Sequence, residues 1–133
     1  MTEQEEAALA TQAGHRSATW CLYAVVLALI FAALMAPVVS LLLDWLPLSE
    51  TRASWFQRSG AVMTIFAIQA GAIALVASGR LYSPGTFGDH NRIVVLMEFK
   101  NRFALAEKSV LILTLAGTVI WGYGDLLVRW WAT

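Results

Sequence analysis

The sequence predicts an all-α integral membrane protein: a three-helix bundle forming a single transmembrane domain over residues 1–133, with an interfacial amphipathic helix before the third span. Three observations carry this expectation. Residues AVILMFWYC make up 59% of the chain and charged residues only 14%, against about 45–50% and about 25% in soluble domains, so there is too little charge to coat a water-facing surface. The charges are spaced so that three long uncharged runs separate them. What charge there is gathers in the segments between those runs. Nine Lys/Arg balance nine Asp/Glu, leaving no basic field for nucleic acid. Cys21 is the single cysteine, which rules out an internal disulfide and a cysteine-based zinc site. A soluble enzyme, a disulfide scaffold and a disordered tail are thereby excluded.

The first 16 residues carry Glu3, Glu5 and Glu6 and only Arg16 as a fixed positive charge, and the apolar run that follows is too long for an h-region, so no cleaved signal peptide is expected. The T-x-x-E of Thr2 to Glu5 either caps a short helix or belongs to an exposed, frayed arm. From Ser17 to Leu43 there are 27 uncharged residues, and from Ser59 to Gly79 there are 21. Each exceeds the roughly 20 residues that cross about 30 Å of hydrocarbon. Ser109 to Gly124 gives 16, extended by Leu126, Leu127 and Val128 if Asp125 sits at the interface. The spans are placed near 19–43, 57–79 and 108–129, with a connection over 80–107. Pro37 should kink the first span unless a neighbour satisfies the carbonyl it frees. Pro47 falls in the loop after it, and 83–89 is a turn-rich linker.

Ile93 to Met97 is too short to be a fourth span. It is expected to start a helix lying on the membrane, with Ile93, Leu96, Met97, Phe99 and Phe103 toward lipid and Arg92, Lys100 and Arg102 reaching headgroups. The alternative is a cytosolic extension of the third helix. Arg16, Arg80, Arg92, Lys100, Arg102 and Lys108 fall on one side of the membrane, and Arg52, Arg58 and Arg129 on the other. The positive-inside rule puts the N-terminus in the cytoplasm and the C-terminus outside, as in a bacterial inner-membrane protein. Trp45, Trp55, Phe56, Trp130 and Trp131 would form the outer aromatic belt and Trp20 would mark the inner one.

Polar residues at membrane depth are the informative ones. Spans two and three run in opposite directions, so Arg58 and Asp125 fall at the same end. Eleven residues inward from each lie Gln69 and Thr114, both roughly 16 Å deeper and about three turns along. Arg58 and Gln69 thus share one face of helix two, while Asp125, Thr118 and Thr114 share one face of helix three. An intramembrane Asp costs about 2.5–3.5 kcal/mol and usually finds a partner in the bundle, so a stripe pairing Arg58 with Asp125 and Gln69 with Thr114 is expected. Other partnerships are open: Arg58 with headgroups, Asp125 with Arg129, Gln69 with a backbone carbonyl or a second copy of itself, and each threonine with its own helix. Gly60, Ala67 and Gly71 on helix two, with Gly117, Gly122 and Gly124 on helix three, would allow close helix packing.

No catalytic set, metal site or cofactor motif emerges. His15 and His90 lie outside the spans without ligand spacing, and Gly85 to Gly88 lacks the phosphate-loop pattern. Three packed helices enclose no water path, so a conducting pathway would need several copies or a partner.

Trp55-Phe56-Gln57-Arg58-Ser59-Gly60-Ala61 and Gly117-Thr118-Val119-Ile120-Trp121-Gly122-Tyr123-Gly124-Asp125 resemble signatures of small uncharacterised bacterial membrane proteins. The resemblance implies that Arg58 and Asp125 belong to a recurring pair of motifs, and it names no activity. The expected function is non-enzymatic: association within the lipid bilayer, as a homo-oligomer with pore-like or membrane-perturbing action, or as an accessory subunit beside another membrane subunit.

Overall fold

A computed structural model describes residues 2–43, 49–81 and 90–131, and among them the chain is three α-helices with no strand. They are α1 (Glu3–Leu42), α2 (Arg52–Leu81) and α3 (His90–Trp131). All three are long and apolar enough to cross a membrane. Trp45, Pro47 and the linker 83–89 lie outside the described residues.

The N-terminal segment is helical from Glu3, with Glu3, Glu5 and Glu6 in its first turn. The Thr2 amide donates to Glu5 Oε2 at 2.8 Å, and these carboxylates stabilise the positive end of the helix dipole. α1 then runs unbroken through Pro37 to Leu42.

α3 corrects one expectation. Among the described residues no separate surface helix precedes the third span; His90–Trp131 is one continuous helix of 42 residues, about 63 Å long at 1.5 Å per residue. The alternative of an extension of the third helix describes this continuity. The physical reason is the placement of two aromatics. Phe99 and Phe103 are buried in the bundle, at 0% and 4% exposure, rather than turned toward lipid. They meet Trp20 and Tyr23 of α1 edge to face, with Trp20–Phe99 centroids 5.1 Å apart and Tyr23–Phe103 5.8 Å. Such contacts add to the area the rings bury. Ile93 and Met97 remain exposed, while the side chains of Arg92 and Leu96 lie outside those described.

The core follows a seven-residue repeat. α1 buries Thr19, Val26, Ala33 and Ser40, each seven residues after the last. α3 buries Phe99, Phe103, Ala106, Leu113, Gly117 and Gly124, with Val110 and Ile120 partly buried in the gaps. Alternating steps of three and four keep one seam toward a partner. α2 contributes Ala67, Ala70, Ala74 and Ala77, small residues that let the other helices approach in an environment where lipid gives no hydrophobic drive. α2 and α3 share the most extensive contact, and α1 and α3 the least.

Candidate functional site

The two stretches that carry the resemblance approach each other to backbone contact. Gln57 sits against Gly124, Gly60 against Gly117 and Trp121, Thr64 against Gly117, and Gly71 against Val110. Each step up α2 is matched by a step down α3, so the helices are antiparallel and in register along this seam. A Cβ on Gly60 would stand 2.5 Å from both the Gly117 carbonyl oxygen and the Trp121 amide nitrogen. One on Gly124 would stand 2.9 Å from the Gln57 Cα. Both obstacles are backbone, which cannot swing aside as a side chain can. Gly71 is less constrained, with a Val110 methyl 3.0 Å from its Cβ position. Ala67 is fully buried nearby, packed with Ala33, Met63 and Leu113.

Gly122 does not belong to this seam. Nothing among the described residues lies within 4 Å of its Cβ position, because it follows Gly117 by five residues and so points to another side of α3.

The hydrogen bond across the seam comes from a residue that sequence reasoning missed. Gln57 Nε2 donates to the Trp121 carbonyl oxygen at 2.8 Å. It stands at the first residue of the second expected span, outside the stripe counted inward from Arg58.

The charged pair expected at this end is not formed. Arg58 instead binds Glu50, Nη2 to Oε1 at 2.7 Å, and its side chain is 64% exposed. Asp125 is half-buried and has no ion pair or side-chain hydrogen bond among the described residues. Gln69 is exposed and likewise without a side-chain hydrogen bond there. Thr114 donates to the Val110 carbonyl at 2.8 Å and Thr118 to the Thr114 carbonyl at 2.7 Å, both within α3. The heights differ by two residues from the equal level expected, and the directions differ more. In the register set by Gly60 and Trp121, Asp125 lies two residues from the level of Arg58, about 3 Å. At about 100° per residue, however, Gln69 falls roughly 160–180° around the helix from Gly60 and Gly71. The shared face of Arg58 and Gln69 therefore points away from α3.

At the opposite end, α1 and α3 are joined by charge as well as by aromatic packing. Arg16 Nη2 binds Glu98 Oε1 at 2.7 Å. The Arg102 guanidinium lies 4.6 Å from the Trp20 ring centroid and 5.8 Å from that of Phe99, so it caps the aromatic cluster through a cation–π contact rather than only reaching for headgroups. Lys100 is exposed. Near the far end of α1, Ala36, Val39, Trp55, Arg58 and Val62 help to line an open groove of about 360 Å³.

The seam holds two helices at backbone contact. Among the described residues no three of His, Cys, Asp and Glu come together as they would around a metal. No family model, no curated protein and no solved structure matches this chain.

Proposed function

We propose that the chain is a non-enzymatic integral protein of the bacterial inner membrane that acts by association, self-assembling in the bilayer as a pore-like or membrane-perturbing effector. Its N-terminus is cytoplasmic and its C-terminus outside. The observation that supports this reading is the inversion of the usual distribution of size. Large apolar side chains face outward, with Phe31, Leu75 and Leu111 at 65%, 69% and 62% exposure, whereas Ala33, Ala67, Ala70 and Ala74 are fully buried. Water penalises such a surface at about 25 cal/mol per Å², and lipid does not. With the α2–α3 seam closed at backbone distance, a conducting path would have to form between copies.

The test is the size of the purified protein in mild detergent together with membrane potential on expression. Oligomers and a fall in potential are expected. A strict monomer that leaves the potential unchanged would overturn the proposal.

A second reading, an accessory subunit of a larger membrane complex, is favoured by the lengths of α1 and α3. At 40 and 42 residues they reach about 60 Å, twice the hydrocarbon thickness. Their paired ends, tied by Arg16 and Glu98, would suit a partner outside the bilayer. Crosslinking in native membranes that recovers only self-contacts would exclude it.

A further inference from the structure

The unused face of α2 carries a seam of its own. Val62, Ile65, Gln69, Ala72 and Val76 are all exposed, and their spacing of three, four, three and four residues is that of a helix–helix contact. The other sides of α2 are taken: α3 packs on Gly60, Thr64 and Gly71, and α1 on Met63, Ala67 and Ala70. Gln69 is the middle residue of the uncharged run from Ser59 to Gly79, about 15 Å from either end and therefore at the centre of the hydrocarbon. Its carboxamide offers two donors and an acceptor, and acyl chains supply a partner for none of them.

We infer that a second copy of this chain docks on this face, with the two Gln69 side chains hydrogen-bonded to each other across a two-fold axis along the membrane normal. The inference rests on the self-assembly proposed above and names its interface. A second copy is the occupant the chemistry selects. Two chains inserted the same way bring Gln69 to one height, and a primary amide is complementary to itself, donating and accepting in the same pair. An isologous contact repeats the whole stripe, placing Ala72 opposite Ala72, where the small side chains permit close approach. At the end of the stripe Arg58 would meet its own copy, and the repulsion is relieved because each guanidinium is already held by Glu50 at 2.7 Å.

The test uses the purified full-length chain carrying Cys21→Ser in vesicles of phosphatidylethanolamine and phosphatidylglycerol, with a single cysteine placed at Ala72 or, on the outward side of α3, at Leu111. Oxidation should link two chains through Ala72→Cys and far less through Leu111→Cys. Gln69→Leu, which swaps an amide for an apolar group on an outward face and so should insert and fold, is expected to weaken the association about tenfold, while Gln69→Asn should keep most of it. Unchanged linking in Gln69→Leu, or equal linking at both positions, would overturn the interface. If chains link only through Leu111→Cys, this interface is wrong and self-assembly stands. If no covalent dimer forms at any position or protein density, both fall.

Discussion

Glycine at residues 60, 117 and 124 has a steric role that Gly122 lacks, and substitution separates the two. Gly60→Ala puts a methyl 2.5 Å from two backbone atoms of α3, so the helices must part. A destabilisation of about 1–3 kcal/mol is expected, as for other overpacked contacts. Gly122→Ala meets nothing within 4 Å among the described residues and should be neutral, or stabilising by up to about 1 kcal/mol through helix propensity. Unfolding in mixed micelles as denaturing detergent is raised would measure both. Arg58 and Asp125 share no partner, so Arg58→Ala and Asp125→Ala should add to within about 0.3–0.5 kcal/mol. Exchanging the two charges should restore nothing, and recovery of stability on exchange would contradict the Arg58–Glu50 pairing. Residue types were legible in the sequence, and counting along antiparallel helices put Arg58 and Asp125 at one height, two residues off the register that Gly60 and Trp121 set. Azimuth was not. In a span both the lipid face and the buried face are apolar, so little in the pattern of Ile65, Ile68, Leu75 and Val76 says which way Gln69 turns.

At the scale of elements, the uncharged runs located all three helices, and it was the charged flank of α3 that misled. Arg92, Glu98, Lys100 and Arg102 beside Ile93 and Phe99 make an amphipathic pattern that a membrane surface and a protruding helical pair satisfy equally. A different signal was present. Phe99, Phe103, Ala106, Val110, Leu113 and Gly117 continue one three-and-four spacing from the charged flank into the span, as a single helix with a single seam would require. Spin labels at Met97 and Leu127, both exposed, offer a direct check. Thirty residues of unbroken helix separate them by about 45 Å, and a turn onto the membrane surface near Lys108 would shorten this to roughly 33 Å. Pulsed dipolar spectroscopy distinguishes the two. The aromatic cluster and the Arg16–Glu98 pair were beyond reading from sequence, because they depend on α1 and α3 protruding side by side.

For the whole molecule, α2 and α3 meet at backbone contact through glycine, and the buried Phe99 and Phe103 pack against Trp20 and Tyr23 of α1. Large apolar residues face out, and one carboxamide stands among them at mid-span. In the self-assembly proposed above that amide finds its partner in a second copy, so association is the property to measure. Photobleaching of singly labelled chains in vesicles counts copies directly as lipid is added. Two-step bleaching that rises with protein density, and falls at matched density in Gln69→Leu, is the predicted result; single-step bleaching at every density would contradict it.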